Sequence, residues 1–394
     1  MQVRGRDIAD RAAAPTLALS LLSLPLVGVN RALAILFSGV GYHMQILGPL
    51  SVLNFLQLLA HQGVVIKDGR ALEQVRDIDT VVFDKTGTLT LEQPHVGAVH
   101  PYNGYSEADI LTYAAAAEHR QTHPIAKAIQ LSADERQLTL PTISDAAYEV
   151  GYGIKVRLDE KLIRVGSDRF MAMEEVTIPV ELQSMANSAH EQGHSLVYVS
   201  IDDHLGGVLE LCPTVRPEAK AVVDSLRQRG VEMYIISGDH ERPTRALAED
   251  LGIDHYFAET LPEHKADLID QLQAEGRSVC FVGDGINDSI ALKKANVSVS
   301  LRGASTVATD TAQVILMDQT LNQLDELFVI SEHFESNMEV NLYTTIVPGV
   351  IIIGGAFLGM VGYGGSIVLF TGGLVAGLVN TALPLFRTQE NGKG

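Results

Sequence analysis

The sequence predicts membrane α-helices plus an α/β body: apolar helices flank a doubly wound sheet domain, which in turn carries an inserted α+β domain. Three observations point there. Apolar stretches lie at both ends of the 394-residue chain, each close to the roughly 20 residues that cross a bilayer. Strand and helix patterns alternate through the second half of the soluble middle, the rhythm of a parallel sheet. Between Leu91 and Leu211 that rhythm is interrupted by a region of about 120 residues, a domain's worth of chain.

The membrane segments come first. Ala12 to Val29 carries no charge, Asn30 and Arg31 break the run, and a second uncharged stretch extends from Ala32 to Ala60. Two more run from about Thr345 to Val361 and from about Ile367 to Leu385, separated by the glycine-rich turn Gly362 to Gly365. Four membrane helices are expected, two on each side of the soluble middle. Arg4, Arg6 and Arg11 precede the first stretch as they would a signal peptide, but no small-residue cleavage site follows and a longer apolar segment comes directly after. The same arginines favour a cytoplasmic N-terminus, so two crossings return the chain to the cytoplasm.

Bulk composition excludes some classes. A net charge of -19 leaves no basic footprint for nucleic acid. Cys212 and Cys280 lie far apart, each in an apolar run, and read as buried thiols of a reduced compartment.

After the short exit segment Gly63 to Glu73, the run Thr80, Val81, Val82 and Phe83 reads as a buried parallel strand ending in Asp84. Chemistry in open α/β sheets sits beyond the carboxyl ends of such strands. The alternation then continues: helix Arg216 to Arg229, strand Met233 to Ile236, helices Thr244 to Leu251 and Lys265 to Ala274, strand Ser278 to Val282, helix Ile290 to Lys294.

An aspartate at a strand end is ordinary, and alone it reads as a helix cap or turn residue. Asp84 opens the run Asp-Lys-Thr-Gly-Thr and is accompanied by three further polar elements: Ser237, Gly238 and Asp239 after the second strand, Lys265 in LPEHKADLI, and GDGIND from Gly283 to Asp288 after the third. Asp284 and Asp288 place two carboxylates within one turn, an arrangement that repels itself without a cation. In this set of motifs the chain resembles the P-type ATPases, within the haloacid dehalogenase-like superfamily.

The resemblance implies that Asp84 accepts the phosphate of ATP and that Lys85, Thr86, Ser237, Asp239 and Lys265 assist. A hydroxyl at Ser237 and an ammonium at Lys265 can stabilise the phosphoryl oxygens in flight. Mg²⁺ is implied at Asp84, Thr86, Asp284 and Asp288. In phosphatases of the superfamily the position two after the nucleophile is an aspartate acting as acid and base. Thr86 stands there, so the acyl-phosphate should persist, which favours a pump over a phosphatase.

In the insertion, Glu118, His123 and Pro124 with Gly151 and Gly153 resemble the nucleotide-binding domain of the heavy-metal (type IB) branch. That implies His123 against adenine and glycines that admit the nucleotide. His123 before Pro124 is also a good helix start. The expected organisation is 1–62, two membrane helices; 63–90, exit segment and first part of a phosphorylation domain; 91–211, nucleotide-binding domain; 212–330, second part of the phosphorylation domain; 331–394, two membrane helices and a tail.

Other features depart from the branch. An actuator domain with a Thr-Gly-Glu loop would precede this stretch, and none is present. Val40, Gly41 and Tyr42 stand where a Cys-Pro-Cys motif is usual, which removes thiolate coordination. Pro213 stands where an aspartate is usual. Asn54, Gln57 and His61 share a helix face, as for an ion path or an ordinary helix contact. Tyr42, His43, Gln45, Asn341, Tyr343 and Asn380 are further polar groups without a defensible ligand set.

The expected function is ATP-driven cation transport by a catalytic portion. Its expected partners are membrane lipid, the cation, and a separate chain supplying the actuator. A non-transporting ATP-binding or regulatory membrane protein derived from a pump is the alternative, and a membrane-tethered phosphatase a third.

Overall fold

The computed structural model describes residues 2–141, 145–149, 153–158, 161–283, 288–301 and 310–391. Helix α1 (Gln2–Val27) contains Pro15 and Pro25 and ends at Gly28, whose φ of 78° a side chain would resist. Across that point Ser20 Oγ donates to Ala32 O at 2.7 Å, joining α1 to the segment that follows. Helix α2 (Val29–Leu36) is only eight residues long, and a non-helical stretch from Phe37 to His43 separates it from α3 (Met44–His61). The second expected crossing, Ala32 to Ala60, is therefore two helical pieces with a break. The break carries no charge or proline; it turns through Gly39 and Gly41, at φ 54° and 82°. Irregular backbone at membrane depth is tolerated where neighbouring protein covers it, and Gly349 packs closely against Val40 and Ser38 in the break.

Strand β1 (Val64–Ile66) and helix α4 (Gly69–Val75, capped by Asp68 accepting from Arg70 N) form the exit segment. β2 (Thr80–Asp84) follows, buried along its whole length. The insertion then opens with β3 (His95–Pro101), α5 (Glu107–Glu118) and α6 (Pro124–Glu135). It continues through β4 (Asp145–Glu149), β5 (Gly153–Leu158), β6 (Lys161–Gly166), α7 (Asp168–Met173) and α8 (Gln183–Glu191), and closes with β7 (Ser195–Ile201) and β8 (His204–Cys212). Its strands form one antiparallel sheet in the order β3-β8-β7-β6-β5-β4. Alternate residues face opposite sides. Leu209 and Leu211 pack with Ile110, Leu111 and Ile129 of α5 and α6, whereas Tyr198 and Val208 pack with Phe170 and Met171 of α7.

Back in the first sheet come α9 (Ala219–Gln228), β9 (Glu232–Ile236), α10 (Glu241–Leu251), β10 (His255–Phe257), α11 (Pro262–Ala274), β11 (Val279–Val282), α12 (Ser289–Lys294), β12 (Val297–Leu301) and β13 (Val314–Leu316). The order is β1-β13-β12-β11-β2-β9-β10, parallel except for the antiparallel pair of β1 and β13. Both faces are covered, which is why its strands read as continuous apolar runs. Val81 and Phe83 join a core with Leu226 and Leu324, and Val82 joins one with Ile269 and Leu272.

Helices α13 (Asn322–Phe357) and α14 (Tyr363–Asn391) complete the chain. Among the described residues, α13 and the Tyr363–Phe386 part of α14 are the two helices long and apolar enough to cross a membrane. The turn between them lies at 358–362, earlier than the expected Gly362 to Gly365, which begins α14 instead. The first half of α13 buries Leu324, Leu327, Phe328 and Phe334 in the core of the seven-stranded sheet, together with Phe55 and Leu59 of α3. One continuous helix thus links the soluble body to the membrane part.

Within the membrane part, α3, α13 and α14 share a buried polar network. Asn341 Nδ2 donates to Ser51 Oγ at 3.0 Å and to Thr381 Oγ1 at 2.9 Å, Asn380 Nδ2 donates to Asn341 Oδ1 at 2.9 Å, and Asn54 Nδ2 donates to Thr381 O at 2.9 Å. Asn54 and Asn341 are thus committed to helix contacts, while Tyr343 is exposed. Asn341→Leu is expected to lower stability by about 1–2 kcal/mol, measured by thermal unfolding in detergent, because it removes several interhelical hydrogen bonds that average about 0.6 kcal/mol each.

Candidate active site

Three parallel strand ends meet at Asp84. It closes the central strand β2 and lies beside Ile236, the last residue of β9, while Phe83 lies beside Val282, the last of β11. Two of the three loops expected to carry the chemistry therefore flank the third. Asp84 is 5% exposed. Beyond it Thr86 is still extended, at φ −77° and ψ 125°, and the backbone turns at Gly87, whose φ of 75° favours a residue without a side chain.

Lys265, near the start of α11, reaches into this point. Its Nζ lies 2.5 Å from Asp84 Oδ1 and 2.7 Å from Asp288 Oδ1, and all three side chains are buried. Burial pushes the Lys265 ammonium down, but the charges of Asp84 and Asp288 outweigh it and hold the pKa above the usual lysine value. Lys85 is buried and paired with Asp239, which is part-exposed. Ser237 is 2% exposed and its Oγ accepts the Asp239 N–H at 3.0 Å. Thr86 is exposed. Asp84, Lys85, Ser237, Asp239, Lys265 and Asp288 are thus brought together; Asp284 lies outside the described residues.

Two neighbours were not singled out as site residues from the sequence. Thr88 is fully buried and its hydroxyl has no hydrogen-bond partner, a position that an oxygen-rich ligand would satisfy. Arg216 donates to Gly87 O at 3.0 Å and to Gln319 O at 2.7 Å, fixing the loop after Asp84. What places Arg216 is tertiary: its segment pairs with residues 89–91, through Arg216 N to Leu89 O at 2.9 Å and Leu91 N to Thr214 O at 2.8 Å. Pro213 does not disturb this pairing.

The donor set fits a hard divalent cation. Asp84 and Asp288 are buried carboxylates bridged by one ammonium, an oxygen-rich site with more negative than positive charge.

A second group lies in the insertion. Glu118 ends α5 and is 5% exposed. His123 caps α6, its Nδ1 accepting the Ala126 N–H at 3.2 Å, and its Nε2 lies 3.2 Å from Glu118 Oε2. That last contact is close enough for an ion pair but poorly aligned, and Oε2 has no hydrogen-bond partner. Burial raises the Glu118 carboxyl to about 7 and lowers His123. Gly153 begins β5, where a side chain would strike the Phe170 ring, so packing also calls for glycine there. Gly151 lies outside the described residues.

The Glu118 shift predicts a pH dependence. A carboxyl whose folded pKa is raised contributes stability below its unfolded value of 4.5 and loses it as pH rises through about 7. The full span is worth about 3 kcal/mol. Glu118→Gln is expected to match the wild type near pH 4 and to exceed its stability above pH 7 by up to about 3 kcal/mol; equal thermal unfolding curves at both pH values would refute the buried-acid reading.

Residues 78–296 match the haloacid dehalogenase-like hydrolase family. The chain belongs to that family. It is similar to a zinc-exporting P-type ATPase of Mycobacterium marinum, 32% identical over 82% of this chain and 45% of the relative. It is similar also to a copper-exporting P-type ATPase of Bacillus subtilis, 31% identical over 80% of this chain and 39% of the relative. Among solved structures, a zinc-transporting PIB-type ATPase in an E2.Pi state superposes with a TM-score of 0.80 at 30% identity, covering 95% of this chain and 62% of that one. Sequence and fold alike place the chain with the heavy-metal P-type ATPases, as a membrane protein. It spans about half the length of the curated relatives it matches.

Proposed function

We propose that this chain carries the catalytic portion of an ATP-driven heavy-metal cation pump and is phosphorylated on Asp84. The observation that carries the reading is the buried Lys265 ammonium bridging Asp84 and Asp288 at the carboxyl end of the central strand. In the proposed step an Asp84 carboxylate oxygen attacks the terminal phosphorus of ATP. The new bond is aspartyl oxygen to phosphorus, the bond to the bridging oxygen breaks, and its electron pair leaves on ADP. The nucleophile is already ionised, so no base is needed.

Lys265 and the Ser237 hydroxyl stabilise charge on the transferring oxygens, and the Lys85–Asp239 pair braces the two loops. Asp84, Thr86, Asp284 and Asp288 would hold Mg²⁺, which supplies neutralising charge for the phosphates when bound. Thr86 offers no carboxylate to activate water, so the acyl-phosphate outlasts its formation.

The unit boundaries that suit this reading are a phosphorylation domain at 63–90 and 212–330, a nucleotide domain at 91–211 with Glu118, His123, Gly151 and Gly153 near the base of ATP, and membrane segments at 1–62 and 331–394. Both soluble domains would face the cytoplasm. Helix α13 is suited to passing movement of the phosphorylated body to the membrane, where the cation would cross among lipid-facing helices. His43, in the break between α2 and α3, is buried with neither ring nitrogen hydrogen-bonded. An ion path there would use imidazole and oxygen and no thiolate, since both cysteines lie in the soluble body.

The self-satisfied Asn341 network favours the alternative, a non-transporting ATP-binding or regulatory membrane protein, which ATP-stimulated metal flux in vesicles would eliminate. The direct test of the main proposal is incubation with terminally labelled ATP and Mg²⁺. An acid-stable, hydroxylamine-labile label is expected; its absence from folded protein overturns the proposal.

A further inference from the structure

A second constellation of metal-ligating side chains lies away from Asp84, where β7 begins and β8 ends in the six-stranded sheet. Glu210 and Cys212 are two residues apart on β8 and so share a face. Ser195, the first residue of β7, lies beside Leu211, which brings His194 off the strand end next to them. One ligand atom from each of His194, Glu210 and Cys212 lies within 4.8 Å of the others, and all three residues are half-buried. We infer that His194, Glu210 and Cys212 form a binding site for a zinc-class divalent ion at the base of the inserted domain.

The donor types decide the class. A thiolate, an imidazole and a carboxylate make the mixed set that suits Zn²⁺ in tetrahedral geometry, with one position left for water, and they do not suit Mg²⁺. An outer partner is already in place: His100 of β3 holds Glu210 Oε2 through its Nε2 at 3.1 Å, leaving Oε1 beside His194 Nδ1. Such partners orient a ligand and tune its affinity.

The neighbouring edge strand leaves room at the sulfur. A side chain at Gly97 would come within 2.6 Å of Cys212 Sγ. His95, opposite Cys212 in register, is engaged elsewhere, with its Nδ1 3.0 Å from Thr214 Oγ1.

Without metal, the carboxylate of Glu210 is shared between His194 and His100 and sits below the usual glutamate range, because those contacts outweigh the upward push of burial. Burial and the nearby Glu210 charge push the Cys212 thiol up. Binding therefore releases the thiol proton to solvent and replaces the Glu210–His194 contact with two bonds to the ion.

Position gives the site a consequence. Cys212 lies just ahead of the paired connections, Leu91 with Thr214 and Thr90 with Val215, that join the inserted domain to the seven-stranded sheet. A bound ion ties the ends of β7 and β8 together beside that hinge.

The test uses the full chain in detergent with excess Mg²⁺ and titrates Co²⁺ alone. One equivalent is expected to give a thiolate-to-cobalt charge-transfer band with the intense visible bands of a tetrahedral site, discharged by Zn²⁺. Cys212→Ser should lose the charge-transfer band, and His194→Gln should weaken binding by about 100-fold or more, with His100→Gln in the range of about 10–100-fold. His204→Gln, at the far end of β8, should bind as the wild type does. Circular dichroism checks that each variant is folded. A folded wild type without the band overturns the inference, which would leave a His–Glu–His hydrogen-bonded cluster with a bystander thiol. So does a band that survives Cys212→Ser and thus belongs to Cys280, or unchanged affinity in folded His194→Gln.

Discussion

Asp84→Asn is expected to abolish the acid-stable label from terminally labelled ATP, lowering the rate of phosphorylation by at least about 10⁴-fold, the scale on which loss of a nucleophile is felt. The amide has nearly the shape of the carboxylate and keeps one oxygen able to accept from Lys265, but it presents no anionic oxygen to phosphorus. Lys265 remains paired with Asp288, 2.7 Å away. The buried set exchanges two carboxylates around one ammonium for one, which relieves repulsion, so thermal stability should hold or rise slightly. That combination separates chemistry from folding. Nucleotide binding by the folded variant should persist, because Glu118 and His123 lie in the inserted domain, at the ends of α5 and α6. A label that survives in Asp84→Asn would move the acceptor to another residue and dismantle the proposed mechanism.

The parts of this site legible in the sequence are those where chemistry restricts residue type. Apolar runs ending in Asp84, Ser237 and Gly283 identify β2, β9 and β11 because strands buried on both faces have no polar alternation. The elements that escaped are governed by distant partners. β1 lay hidden in the exit segment because its pairing is with β13, whose residues are some 250 positions later in the chain. β12 reads as a half-exposed strand, Val-Ser-Val-Ser-Leu, yet Ser298 and Ser300 are buried; Ser298 Oγ accepts the Gln313 N–H at 3.1 Å, which makes its burial tolerable. The expectation that both cysteines are buried holds for Cys280 and fails for Cys212, which is half-buried, because β8 ends there and the chain leaves the sheet. The membrane break from Phe37 to His43 escaped for a similar reason: hydropathy measures affinity for lipid and says little about where a helix stops. Lys265 was singled out by motif, but its bridging of two carboxylates is a tertiary fact that spacing cannot give.

That bridge makes Lys265→Met the substitution with the largest expected structural cost. Lys265, Asp84 and Asp288 have side chains 8%, 7% and 1% exposed. Methionine fills much of the lysine stem's volume but leaves two buried carboxylates facing each other. Removing one partner of a buried ionic set typically costs about 3–5 kcal/mol, more than the pair itself contributes. The sign of the pH response identifies the cause. In the wild type the Lys265 pKa is raised, so its contribution is present throughout the neutral range and is lost only as pH climbs past the ordinary lysine value. In the variant two buried carboxylates repel each other without a counter-charge, a penalty that protonation of either one relieves and that therefore grows as pH rises. The deficit measured by thermal unfolding should therefore be large at pH 7 and shrink toward pH 4, and Lys265→Arg should restore part of it by returning the charge. Phosphorylation should fall by about 10²-fold or more in Lys265→Met, since an ammonium aimed at the transferring oxygens is lost. A variant as stable as the wild type at pH 7, or a deficit that does not change with pH, would show that the two carboxylates do not depend on this lysine.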